Sequence, residues 1–168
     1  TKVNIWARMC SLPSTLLESK WNDIKDRYLK IVKYDGIESA CWECQYATTK
    51  SGYCQLNLNG SGYGVLEGNY SVHLWSMKVH NKVQPQGLRD PDCSHLCHNK
   101  RCCNIEHLVW EEGRTNKQRN NCPHVVDGVL ICPYIHAAPA CLLPHSRFTP
   151  DSVRVYSGYN VPTNTVTK

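Results

Sequence analysis

An α+β fold with antiparallel sheets is what three features of this 168-residue sequence predict. The first is an amphipathic helical stretch near the N-terminus. The second is a period-two hairpin in the middle. The third is the presence of 11 Cys and 8 His, one metal-capable side chain in roughly every nine residues, far above ordinary usage. A chain this long can bury about two-thirds of its unfolded surface, so a core is feasible. The Cys- and His-rich part is expected to lean on something else.

Residues 14–33 read as one helix within an N-terminal helical segment, 1–36. Leu16, Leu17, Trp21, Ile24, Tyr28, Leu29 and Ile31 recur mostly at three- and four-residue steps. Ser14 is placed to cap the start and Asp35-Gly36 to end it. The mixed charges along this helix read as a solvated face. From Cys41 to Met77 the pattern changes to strands. Cys54, Leu56 and Leu58 alternate with Tyr53, Gln55 and Asn57, and Asn59-Gly60 then Ser61-Gly62 supply a turn before a return over Tyr63 to Leu66. The period over Tyr70 to His80 fits a strand or a short helix equally. Leu108-Val109-Trp110 is a short apolar run, and Glu111 to Asn121 reads as a polar helix. The tail, 142–168, reads as an extended arm that orders only by packing on something. The whole is expected to be a single domain, with 41–121 its centre and 122–141 a separate loop.

Composition excludes several classes. At 41% hydrophobic and 20% charged residues the chain is not a disordered tail. No apolar run approaches the ~20 residues needed to cross a bilayer, so no membrane partner is expected. Arg8, Ser11 and Pro13 break the first apolar stretch, so no signal peptide is expected, while the start at Thr1 leaves open that the chain is cut from something longer. The net charge of +5 permits a nucleic-acid partner without demanding one.

The cysteines point to zinc rather than disulfides. Eleven is odd, the Cys are interleaved with His, and a chain this long does not need staples. Zinc thiolates imply a reducing, intracellular setting, with the nucleus a candidate compartment. Seven of the Cys and five of the His fall in 93–141, where two clusters can be drawn. Cys97-x4-Cys102-x4-His107 gives three soft or borderline ligands at short spacing, with Cys41 or Cys44 as the fourth. Cys122, Cys132, His136 and Cys141, with His124 and His145 as alternates, give a second closed set. Cys10, Cys54, Cys93 and Cys103 read as small hydrophobes.

One stretch carries a family resemblance. Ser94-His95-Leu96-Cys97-His98-Asn99-Lys100-Arg101-Cys102-Cys103-Asn104-Ile105-Glu106-His107-Leu108-Val109-Trp110-Glu111, followed by Asn116-Lys117-Gln118-Arg119-Asn120 and Cys122-Pro123, resembles the His-Cys box homing endonucleases, within the ββα-metal or His-Me finger nucleases. The likeness is close over 94–123 and holds in plan over 41–141. It implies a zinc-bound ββα-metal fold with little hydrophobic core and a magnesium-dependent DNA endonuclease that hydrolyses phosphodiester bonds. It implies His95 as the general base, Asn116 as the protein ligand of one Mg²⁺, Cys41 with Cys97, Cys102 and His107 as a first structural zinc site, and Cys122, Cys132, His136 and Cys141 as a second. The family carries an Arg near the scissile phosphate, seven residues before a His. Counting back from His80 lands on His73, so here a histidine stands where the family has a guanidinium. An inactive DNA-binding module, as in the similar Smad-type domains, and a zinc-stapled protein-interaction domain are the competing expectations.

The chemistry is reasonable without the family. A histidine is the natural base near neutral pH, and an Asn-held Mg²⁺ keeps waters and open positions for phosphate oxygens. A backbone carbonyl or carboxylate should orient the second nitrogen of His95. Double-stranded DNA is the expected partner. Tyr53, Gln55 and Asn57 would face the major groove, and Lys100, Arg101, Lys117 and Arg119 the phosphates. Cutting both strands with one site per chain makes a homodimer an expectation.

Overall fold

The computed structural model describes residues 4–34, 38–120, 124–126, 129–131, 139, 141–142 and 154–155. Two helices open the chain, α1 (Ile5–Cys10) and α2 (Ser14–Tyr28). The Asn4 side chain caps α1 by accepting from the Ala7 N–H, one of the donors a helix start leaves orphaned. The N-cap of α2 is Pro13, and Ser14 is the first helical residue with no side-chain cap. The helix also stops sooner than the periodicity suggests. Leu29–Val32 forms strand β1, paired antiparallel with β2 (Cys41–Cys44) from Leu29 against Cys44 to Val32 against Cys41. β-Branched Ile31 and Val32 favour the pleated surface once a partner strand is at hand.

The central hairpin pairs β3 (Gln55–Asn57) with β4 (Asn69–Ser71), Leu56 opposite Tyr70. The return strand lies further along than the expected Tyr63–Leu66, which forms part of a long turn containing a 3₁₀ segment at Gly64–Leu66. Glu67 organises that turn: its carboxylate accepts from the Gly60 and Gly62 N–H groups at 3.1 and 2.8 Å. Helix α3 (Val72–Val79) follows directly. Strand β5 (Pro91–His95) and β6 (Leu108–Glu112) pair antiparallel, with His95 opposite Leu108, and α4 (Gly113–Asn120) leaves the end of β6. Beyond it, β7 (His124–Val126) pairs antiparallel with β8 (Val129–Ile131) and parallel with β9 (Arg154–Val155), the one departure from antiparallel pairing among the described strands.

Two buried clusters hold these elements. The larger joins Trp6 and Met9 of α1, Trp21 and Ile24 of α2, and Val72 and Trp75 of α3, together with Leu56, Tyr70 and Leu108 of the strands. Trp75 is fully buried, and its indole N–H donates to the Leu17 carbonyl at 3.0 Å, so burial leaves no donor unpaired. The second cluster is Cys41, Cys97 and Cys102, with Tyr34 and Leu142 against it. Little hydrophobic core therefore describes the smaller cluster; the larger one, which also takes in Cys44, Cys54, Cys93 and Cys103, is a conventional apolar core. Among the described residues no helix is long and apolar enough to cross a membrane.

Candidate metal centre and catalytic cleft

Cys41, Cys97, Cys102 and His107 come together with their ligand atoms all within 4.8 Å of one another, and all four are buried. Zinc–sulfur bonds of about 2.3 Å in a tetrahedron put ligand atoms roughly 3.8 Å apart, so this Cys3His set fits zinc. His107 Nδ1 lies 3.5 Å from both Cys41 Sγ and Cys102 Sγ. Its Nε2 lies 2.8 Å from Ser39 Oγ, which holds the ring in orientation from the far side. Of the two candidate fourth ligands it is Cys41 that enters the set. Cys44 joins the apolar cluster instead, its carbonyl accepting from the Cys54 thiol at 3.1 Å. None of the described cysteines forms a disulfide.

The loop holding these ligands is stitched to β2 by its backbone. Cys44 N–H donates to the Arg101 carbonyl and Cys103 N–H to the Trp42 carbonyl, both at 2.9 Å, while Cys102 N–H closes a turn within the loop on the Asn99 carbonyl at 2.8 Å. Fully buried Asn99 donates from Nδ2 to Glu43 Oε1 at 2.6 Å. Asn104 donates to the Ala40 carbonyl at 2.7 Å, and its Oδ1 accepts from Glu106 N–H to cap the 3₁₀ turn Ile105–His107.

His95, at the end of β5, is buried at 8% exposure. Its Nε2 lies 3.0 Å from the carbonyl of Cys102. A carbonyl can only accept, so Nε2 carries the proton and Nδ1 the lone pair. The orienting group is thus the backbone of a zinc ligand. Burial pushes the His95 imidazole down to about 4, against the upward pull of that hydrogen bond. The ring is enclosed by Tyr53 and His73, with centroids at 5.7 and 4.7 Å. Burial, and then His95, hold His73 neutral well below the usual histidine range.

Beside these rings opens a cleft of about 640 Å³, lined among others by Tyr53, His73, Asp92 and Asn116. Asn116, on α4, donates from Nδ2 to Asp92 Oδ2 at 3.0 Å. Gly113 lets α4 start this close to β5. Its N–H donates to the Asp90 carbonyl at 2.9 Å, and a Cβ there would meet that same oxygen at 2.9 Å. His73 and Asn116, far apart in sequence, therefore line one cleft, and His95 packs behind it against Tyr53 and His73.

The residues expected to read DNA separate. Tyr53 turns into the cleft against the two histidines instead of lying on an open hairpin face, and Lys100 Nζ lies 5.3 Å from its ring. Gln55 is half-buried on β3, and Asn57 is exposed but engaged with Asn69 Oδ1 at 2.7 Å. Lys100 and Lys117 are exposed, while Arg101 is half-buried with Nε donating to the Cys44 carbonyl at 3.0 Å. Arg119 corrects its expectation. It is 1% exposed, and its Nε donates to both Glu111 carboxylate oxygens at 2.8 and 2.9 Å, because α4 folds back on β6. It is an internal strut, not a phosphate contact. Of the second cluster only Cys141 lies among the described residues, and its sulfur accepts from Arg119 Nη1 at 3.3 Å; Cys122, Cys132 and His136 lie outside them. Sequence reasoning missed Asp92 and Ser39. A single Asp and a single Ser carry no pattern, and only the folded neighbours give them a role.

A β-hairpin and helix bearing His95 and Asn116, built around a Cys3His zinc site, define a zinc-bound ββα-metal fold of the His-Me finger class. A sequence model described as the zinc-binding loop region of homing endonuclease matches residues 40–151, about two-thirds of the chain, and the chain belongs to that family. The family ties it to a nuclease-type or DNA-binding role, with DNA as the implied partner. A protein of Enterobacteria phage T3, its "Uncharacterized gene 5.3 protein", is 27% identical over 94 residues, which cover 52% of this chain and 89% of that one.

Proposed function

We propose that this protein is a magnesium-dependent DNA endonuclease that hydrolyses phosphodiester bonds, with His95 as general base. The observation that carries the reading is the Nε2–H of His95 held on the Cys102 carbonyl. That bond fixes the tautomer with Nδ1 free to take a proton from water, and it supports the imidazolium that forms. Tyr53 and His73 limit how the ring can turn. The zinc at Cys41, Cys97, Cys102 and His107 acts at one remove, since Cys102 both binds it and presents the orienting carbonyl. Asn116 is the protein ligand for the divalent ion. Magnesium bound there supplies Lewis-acid stabilisation of charge on the leaving 3′ oxygen. Exposed Lys100 and Lys117 are the phosphate contacts of this reading. A second zinc at Cys122, Cys132, His136 and Cys141 and a homodimer that pairs two active sites complete it.

The test is nicking of supercoiled plasmid. Wild-type protein should cut with Mg²⁺ and stop with EDTA, and His95→Ala should lose at least about a hundredfold in rate, the usual contribution of a positioned general base. Tight DNA binding by wild type with no cleavage of any substrate pool would overturn the reading. One observation favours a second reading, a DNA-binding module without catalysis. Neutral His73 stands where the family has an Arg, which removes a fixed positive charge from the cleft. Equal DNA affinity of wild type and His95→Ala, with no cleavage by either, would select it.

A further inference from the structure

The cleft has a charge balance that a DNA-cutting site cannot keep by itself. Among the described residues its charged lining groups are Asp90 and Asp92, and no Lys or Arg lines it. A polyanionic substrate entering such a cleft meets carboxylates, which repel it unless a cation sits between them. Asp90 is tied to the start of α4 through its carbonyl, which accepts from Gly113 N–H. Asp92 is exposed, and one of its oxygens accepts from Asn116 Nδ2, on the same helix, at 3.0 Å. That hydrogen bond commits the amide nitrogen of Asn116, so Oδ1 is the atom Asn116 has left to offer. Asp92 brings a second carboxylate oxygen to the same place. A neutral amide is a weak ligand for a hard divalent ion, whereas a carboxylate beside it is the ordinary magnesium donor.

The geometry points to Asp92 as a second protein ligand of the divalent cation, paired with Asn116 across the β5–α4 junction. This assignment rests on the nuclease reading for its purpose, but it concerns a metal site and can be tested apart from cleavage. Asp92 is three residues before His95 on the same strand, so ion and base would be held by one rigid element. Two oxygen ligands from the protein leave several positions for water and phosphate, as a catalytic magnesium requires.

Mn²⁺ binding to the zinc-loaded full chain, followed by the electron paramagnetic resonance signal of the free ion, tests this directly. Asp92→Asn keeps an acceptor oxygen for Asn116 Nδ2 and removes only the charge, so a merely positioning role would survive it. The expected result is an Mn²⁺ affinity at least about tenfold weaker in Asp92→Asn, a similar loss in Asn116→Ala, and no change in the remote control Asp26→Asn. Zinc content should be equal in all four proteins. In the nicking assay, raised Mn²⁺ should restore Asp92→Asn in part. If wild type binds Mn²⁺ and cuts DNA while Asp92→Asn binds the ion equally well, the ligand assignment fails and the nuclease reading stands. If wild type binds Mn²⁺ in an Asp92-dependent way but never cuts, the site stands and the nuclease reading fails. If wild type binds no Mn²⁺, the assignment fails.

Discussion

At the residue scale, the packed pair His73 and His95 carries a burial cost. His73 packs against Tyr53 and His95 and is held neutral by burial. In the unfolded chain its imidazole takes a proton near pH 6.5. Above that pH both states are neutral and His73 contributes nothing to pH dependence. Below it the unfolded state binds the proton and the folded state does not, so stability falls as pH falls, by at most about 1.4 kcal/mol per pH unit for each such group. His73→Asn should therefore flatten the loss of stability between about pH 6.5 and 5. Urea unfolding midpoints of the zinc-loaded proteins at pH 7 and pH 5 measure it. Equal losses in wild type and variant would mean that the folded protein protonates His73 freely.

The element scale is where α4 meets β5. Two effects oppose at Gly113. Glycine within a helix costs about 1 kcal/mol relative to Ala, so propensity alone makes Gly113→Ala stabilising. The Cβ, however, would sit 2.9 Å from the Asp90 carbonyl oxygen, a backbone atom that already accepts from Gly113 N–H. Overpacking of this kind costs about 1–3 kcal/mol, and the close contact should win. Gly113→Ala is expected to lower the melting temperature and, by shifting α4, to slow plasmid cutting while zinc content stays at the wild-type level. A variant as stable as wild type would show that α4 moves aside without strain. The same junction marks a limit of sequence reading. Period and turn chemistry placed α2, the hairpin and a polar helix after Trp110, since each is written in local spacing. They missed β1, because Leu29–Val32 takes its strand form from pairing with β2, which local spacing does not record. They put the hairpin return too early, because Glu67 gathers the glycine-rich turn from its far end. His95, Asn116 and the Cys97, Cys102 and His107 spacing were legible through a motif, whereas Asp92, Ser39 and the burial of Arg119 depend on contacts that no local pattern records.

At the scale of the whole molecule, the two buried clusters should respond differently to loss of zinc. α1, α2 and α3 bury Trp6, Met9, Trp21, Ile24 and Trp75 against one another in a cluster that contains none of the zinc ligands. The ligand loop is tied to β2 by hydrogen bonds but brings little apolar surface of its own. Its buried side chains are Leu96, Cys97, Asn99, Cys102, Cys103, Asn104 and His107, of which only Leu96 and Cys103 are apolar groups outside the ligand set. Structural zinc contributes about 10–16 kcal/mol to folding in small zinc-finger peptides, far more than such a loop supplies by packing. Chelation should therefore leave most of the far-UV helical signal in place while amide-exchange protection collapses across Leu96–His107. Because the carbonyl that orients His95 belongs to Cys102, nicking activity should disappear with that protection and not with the helices. Restoring Zn²⁺ should recover exchange protection and cutting together. Full unfolding on chelation, with helical signal and loop protection lost in one transition, would show instead that the zinc site and the apolar cluster form a single cooperative unit.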